Sequence, residues 1–143
     1  MLFVMAGEGL RLWAVGHIGL PSRTRGNDLG VLVRSGPFRH HRNPLYVGNV
    51  LLFVGVGLWS GWPWALGWIA WFGVQYGLIV GWEERLLSER MGEAYRDYCN
   101  EVPRWLPSGR LVASGRWNWR AAIRSERSTL LAIALVVGVF GWV

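Results

Sequence analysis

The sequence has 143 residues and no lysine; all 15 of its basic residues are arginine. A single cysteine, Cys99, excludes an internal disulfide and any cysteine metal site within one chain. Charge is missing from a whole stretch: residues 43–82 contain no Asp, Glu, Lys, Arg or His over 40 positions. That run excludes an ordinary water-facing surface for the middle of the chain. The net charge of +6 and pI near 10.7 admit nucleic acid as a partner. The arginines, however, alternate with segments too apolar for a soluble domain, so no nucleic-acid partner is expected. What is abundant is apolar: hydrophobic residues make up 52% and there are 11 Trp, in a length that suits one compact unit.

A helix that crosses a bilayer needs about 20 apolar residues. The uncharged run therefore holds two helices and a turn, which falls at Ser60-Gly61-Trp62-Pro63, where breakers cluster. Helices are expected at about 44–60 and 63–82, with Trp59, Trp62, Trp64 and Trp68 at one interface and Trp82 at the other. Residues 1–20 are also long enough to span, although they carry Glu8 and Arg11. These stand three apart on one helix face, where they can pair and point into a bundle interior or wet cavity. A cleaved signal peptide is not expected, since the basic n-region is missing. Residues 129–143 are apolar but short for a span, and 108–128, with Trp117 and Trp119 among five Arg, reads as an interfacial helix.

Arginine placement sets the orientation. Loop 21–42 carries Arg23, Arg25, Arg34, Arg39 and Arg42 against Asp28 alone, segment 83–128 carries nine Arg, and the turn at 60–63 carries none. Positive loops stay in the cytoplasm, so both basic segments belong there and the Trp-rich turn outside. The expected fold is all-α: one integral membrane helical bundle, residues 1–143, with three to four spanning helices. Spans lie at about 1–20, 44–60 and 63–82, cytoplasmic segments at 21–43 and 83–107, and an interfacial or apolar C-terminal region at 108–143. The bilayer, at a bacterial inner membrane, is the first partner. The oligomeric state is left open.

Two short stretches carry chemistry. In GPFRHHRNPLYVG, residues 36–48, Gly36-Pro37 signals a turn, Asn43 suits an N-cap and Pro44 suits a first helical turn. The basic residues thus lie at a helix N-terminus, a geometry that binds anions such as a carboxylate. Orientation and lipid headgroup contact would account for the same charges. His40 and His41 point different ways and lack a third ligand, so no metal site is expected. Further on, Leu86, Leu87, Met91, Ala94, Tyr95 and Tyr98 recur at helical spacing, an amphipathic helix ended near Val102-Pro103 and Leu106-Pro107. At its start, Glu83-Glu84 places two carboxylates at the membrane boundary. They are either solvated and offset by Arg85 and the loop arginines, or a receptor for an ammonium group. A helix N-terminus for a carboxylate and a carboxylate pair for an ammonium, at the two ends of one hairpin, are together complementary to an α-amino acid moiety.

Gly36-Pro37-Phe38-Arg39, Arg42-Asn43-Pro44-Leu45-Tyr46-Val47-Gly48, the hairpin, Glu83-Glu84, Met91-Gly92-Glu93-Ala94-Tyr95, Tyr98, Val102-Pro103 and Pro107 follow one another in order. Over about residues 20–107 this pattern resembles the isoprenylcysteine carboxyl methyltransferase and phospholipid methyltransferase superfamily. The resemblance implies an integral membrane methyltransferase that uses S-adenosyl-L-methionine at the cytoplasmic surface, acting on a lipophilic or small hydrophobic acceptor. It implies cofactor contacts from Gly30, Val31, Leu32, Val33, Phe38, Arg42, Asn43, Pro44, Leu45, Tyr46, Glu83 and Glu84, with Arg11 and Arg104 as candidate substrate contacts. No general base is assigned. Asn43 stands where the family usually has His, and Ile79 where the prenylcysteine enzymes have an Arg, so prenylcysteine is not singled out as acceptor. The alternative is a non-catalytic membrane protein that keeps the fold; a related membrane reductase is set aside because no Gly-rich dinucleotide fingerprint is present. The chain is shorter at its N-terminus than most relatives, and the start is left open upstream of Met1.

Overall fold

The structure, a computed structural model, describes residues 1–18, 32–107 and 117–140. Among them the regular structure is entirely helical: α1 Leu2–Ile18, a 3-10 turn Gly36–Arg39, α2 Pro44–Ser60, α3 Trp62–Met91, α4 Glu93–Glu101 and α5 Trp119–Phe140.

The α2–α3 hairpin turns at Gly61, whose φ of 122° lies outside the range that side chains favour, and Pro63 sits in the first turn of α3 where a missing N–H costs nothing. Aromatic rings fill the seam. Phe53 on α2 lies 4.9 Å from both Trp68 and Phe72 on α3, and Tyr46 lies 4.6 Å from Tyr76, centroid to centroid. The second helix does not stop at the expected boundary near residue 82. It runs on to Met91, 30 residues in all, or roughly 45 Å at about 1.5 Å per residue. A hydrocarbon core is about 30 Å thick, so α3 is longer than a span needs, and Glu83 and Glu84 lie in its last turns. The single amphipathic helix expected after residue 83 is two pieces, because the chain breaks at Gly92 (φ 57°) before α4 begins.

α1 packs antiparallel to α2 by backbone approach. A Cβ on Gly7 would lie 2.7 Å from the Gly48 carbonyl oxygen, and one on Gly55 would lie 2.7 Å from the Val4 side chain. Small residues let helices approach this closely where the apolar solvent supplies no other drive. α5, a helix that joins what the sequence presented as two segments, 108–128 and 129–143, also packs on α1. Asn118 starts it: its Oδ1 accepts from Ala121 N at 3.1 Å, and its own N–H donates to the Gly16 carbonyl at 2.9 Å.

Three to four spans were expected, and among the described helices one, α3, is long and apolar enough to cross a bilayer. α2 is apolar but has 17 residues. α1 is equally short and carries Glu8 and Arg11, while Arg120, Arg124, Glu126 and Arg127 fall on α5. Large apolar side chains nevertheless face outward along the hairpin, among them Trp62, Trp71, Val74, Leu78 and Trp82. A continuous exposed apolar surface of this kind marks contact with lipid or protein.

Candidate functional site

At the end of the hairpin away from the Gly61 turn, the segment before α2 lies across α4. Tyr95, Tyr98 and Val102 form a small buried cluster, with Leu32, Leu87, Met91 and Cys99 packed around it. Tyr98 donates its hydroxyl to the Phe38 carbonyl at 2.6 Å, and the Arg34 guanidinium sits 5.5 Å above the Tyr98 ring while donating to the Ala94 carbonyl. Burial pushes both tyrosine hydroxyls well above the usual range, so they stay protonated donors. His41, also buried, meets the Trp105 carbonyl through Nδ1 at 3.2 Å. Burial, and then the neighbouring His40, pulls its ring pKa below the ordinary histidine value. The neutral ring with a proton on Nδ1 fits that carbonyl.

The two adjacent carboxylates at the end of the hairpin have different surroundings. Glu84 lies between two guanidinium groups: Arg42 Nη1 is 3.2 Å from Oε1, and Arg104 reaches Oε1 through Nε at 3.1 Å and Oε2 through a second nitrogen. The hydrogen bond from Arg104 raises the pKa of that arginine further, and the forked geometry makes the pair directional. Arg85, the neighbour in sequence, is exposed and takes no part in it. Glu83 instead turns to α2, where Tyr46 donates its hydroxyl to Oε1 at 2.9 Å. Close by, Arg42 donates its backbone N–H to Pro103 O at 3.0 Å and a guanidinium nitrogen to Cys99 Sγ. Its Nε is buried and makes no hydrogen bond.

Asn43 occupies the N-cap position of α2 but does not cap it. Its Nδ2 donates to the Arg104 carbonyl at 3.2 Å, because the 103–107 segment lies within reach, and the side chain makes no capping bond. Pro44 is fully buried beneath. Of the expected cofactor contacts, Leu32 joins the α4 cluster, Phe38 offers its carbonyl to Tyr98, and Arg42, Asn43, Tyr46, Glu83 and Glu84 gather at the end of the hairpin. Val33 and Leu45 are half-buried beside them in sequence. Gly30 and Val31 lie outside the described residues.

Arg11 and Arg104, grouped in sequence as substrate contacts, stand apart. Arg104 is tied to Glu84. Arg11 lies deeper, on α1, where it hydrogen-bonds Asn49 Oδ1 on α2 and Glu126 Oε2 on α5, and its Nε lies 3.4 Å from Glu8 Oε2. Glu8 and Glu126 are 5% and 1% exposed. Asn49 continues the chain by donating to the Tyr76 hydroxyl at 2.9 Å, and the Tyr76 ring packs on Tyr46, which holds Glu83. A polar thread thus runs from Glu126 to Glu83 across four helices. Sequence reasoning placed Arg11 with Glu8 but missed Glu126, Asn49 and Tyr76. The available signals were one acid among the arginines of 108–128 and, in the uncharged run, Asn49 as one of three amides with Asn43 and Gln75.

Residues 1–94 match the phospholipid methyltransferase family. The chain belongs to that family. The matched region takes in α1, the hairpin and Glu83-Glu84, and stops before most of α4 and all of α5. The chain is also similar to the cobalt-zinc-cadmium resistance protein CzcN of Cupriavidus metallidurans, at 27% identity over 98% of this chain and 67% of that protein. No solved structure matches. Among the described residues no cluster of His, Cys, Asp and Glu could hold a metal ion.

Proposed function

We propose that this protein is a multi-pass integral membrane methyltransferase that uses S-adenosylmethionine at its cytoplasmic face to methylate a lipophilic or small hydrophobic acceptor. The observation that carries the reading is the pairing of Glu83, held by the Tyr46 hydroxyl, with the buried and unpartnered Nε of Arg42 inside the family-matched region. A carboxylate and an unsatisfied guanidinium donor at one end of a hairpin suit the ammonium and carboxylate of the cofactor's amino-acid end. Glu84 serves a different purpose. Saturated by Arg42 and Arg104, it locks the segment after α4 against the start of α2 and keeps Arg42 in place.

S-adenosylmethionine supplies a methyl group already activated on a sulfonium, so the protein's task is chiefly alignment and exclusion of water. Tyr46 orients the Glu83 carboxylate, and Leu32 supplies apolar surface at the α4 cluster, to which the Phe38 carbonyl is bound through Tyr98. Asn43, where the family usually has His, carries no charge and donates its amide to the Arg104 carbonyl. Family membership favours this reading over a non-catalytic one.

Calorimetric titration of S-adenosylmethionine into detergent-solubilised protein tests the assignment. Wild type binds; Glu83→Gln loses about tenfold in affinity or more, as expected for removing a charge-assisted contact. Arg85→Gln, on the exposed neighbour, leaves the affinity unchanged. Equal effects of the two substitutions, or no heat from wild type at millimolar ligand, would refute the site.

A further inference from the structure

Beside the polar cluster of α1 lies a cavity of about 430 Å³ between α1, α2 and α5. Its walls are Val4, Leu52, Phe53, Val56, Ala132 and Ile133, with Met1 and Trp59 at one end and Arg11, Asn49, Ser128 and Thr129 toward the other. The volume falls in the range of small-molecule sites, about 300–1,000 Å³. Apolar walls with a few polar groups gathered at one end fit an amphiphile lying lengthwise, not a compact polar molecule.

The polar end also states which head group it accepts. One guanidinium, Arg11, meets the carboxyl groups of both Glu8 and Glu126 and the amide of Asn49, so it has no spare positive charge for an anion. An added carboxylate or phosphate would face two acids with one base already committed. Hydrogen bonding is available instead from the second amide hydrogen of Asn49, whose other groups serve Arg11 and Tyr76, and from the lone pairs of Thr129, whose hydroxyl donates to Glu126 Oε2 at 3.1 Å. In so apolar a setting an unpaired anion is costly, and an uncharged hydroxyl or thiol is the complement.

We infer that this cavity seats a single aliphatic chain whose uncharged, hydrogen-bonding head lies at Arg11 and Asn49, and that it is the acceptor seat of the proposed methyltransferase. The inference rests on that proposed function for the role of the ligand, though not for its chemistry. The route from seat to cofactor site is short in side chains: Asn49 bonds Tyr76, the Tyr76 ring packs on Tyr46, and Tyr46 bonds Glu83. Four of the residues that line the seat, and Glu126, belong to α5, beyond the residues that match the family. The seat's selectivity is therefore set partly by a helix outside the family's matched region.

Photolabelling tests this with two probes of equal chain length, a diazirine-bearing long-chain alcohol and the corresponding fatty acid, on the purified full chain in detergent. The alcohol labels peptides of α1, α2 and α5, and the acid labels them about tenfold less. Ala132→Trp and Val56→Trp, which fill the cavity from opposite walls at partly open positions, each reduce labelling by the alcohol by about tenfold. Ala134→Trp, exposed on α5 outside the lining, does not. Using two blocking variants means that misfolding of one leaves the other to decide. Labelling unaffected by either block, or equal labelling by acid and alcohol, overturns the seat. The cofactor titration separates the two claims: a protein labelled in the cavity that binds no S-adenosylmethionine keeps the seat and loses the methyltransferase reading. One that binds cofactor but is labelled only on the outward face of α3 loses the seat alone.

Discussion

Glu126→Ala probes the most buried charge among the described residues. Glu126 is 1% exposed and shares a hydrogen bond with Arg11, which is itself mostly covered. Removing one partner of a buried ion pair costs about 3–5 kcal/mol because the other charge is left behind. Arg11 keeps Glu8, 3.4 Å away, and the Asn49 amide, so the low end, about 3 kcal/mol, is expected here. For a chain of this length each kcal/mol lowers the melting temperature by about 2–4 °C, giving a fall of about 6–12 °C. Glu126→Gln keeps a carbonyl acceptor for Arg11 and should lose about half as much. Arg124→Ala, exposed on the same helix, should lie within about 0.5 kcal/mol of wild type. Thermal unfolding of the detergent-solubilised protein, followed by tryptophan fluorescence or differential scanning, provides the assay. The reasoning fails if Glu126→Ala melts with wild type, or if its effect is the same when Arg11 is already Leu, since coupled residues are not additive.

Four further outcomes follow from the same contacts. Gly48→Leu drives a side chain into Arg11 and the Gly7 carbonyl, where even a Cβ would sit at 2.6 and 2.9 Å; it should lower stability by about 1–3 kcal/mol, and Gly67→Ala, which meets nothing within 4 Å, should be neutral or stabilising by up to about 1 kcal/mol. Gly92→Ala forces a side chain to adopt a φ of 57° between α3 and α4, and should cost about 1 kcal/mol in the same melt. His41 has a folded pKa below the unfolded value, so the unfolded chain takes up the proton first as pH falls. Stability should accordingly be complete above about pH 6.5 and decline as pH drops from there through the lower folded pKa, and His41→Gln should flatten that part of the melting profile. Tyr46→Phe removes the hydroxyl 2.9 Å from Glu83 and should weaken S-adenosylmethionine binding by about threefold to tenfold in a calorimetric titration.

The hairpin was readable because its signals are local. An uncharged run twice the length of a span, interrupted by Gly61 and Pro63, leaves little choice of turn, and the observed turn is there. The boundary at Glu83 misled for a physical reason: polarity changes at that residue, but backbone hydrogen bonding does not, and α3 continues until Gly92 breaks it. Asn43 shows the limit of propensity. Its position before Pro44 is that of a cap, yet a carbonyl more than sixty positions away takes its amide. Sequence brought Tyr46 and Glu83 to the same end of the hairpin, since both follow from register along two antiparallel helices. It could not find Glu126, whose partner Arg11 is 115 residues distant and belongs to a helix joined to it by no periodic pattern. Reading 108–128 and 129–143 as separate segments hid that the buried stripe Ala121, Ala122, Glu126 runs on, half-buried, into Thr129 and Ile133 of the same helix.

The most direct test of the account is transfer of a labelled methyl group from S-adenosylmethionine into an organic-extractable product, using the full chain in membranes. Wild type should place label in the lipid-soluble fraction, and Glu83→Gln should place at least about tenfold less at subsaturating cofactor. No label in the lipid-soluble fraction from wild type that binds the cofactor, or equal incorporation by wild type and Glu83→Gln, would contradict it.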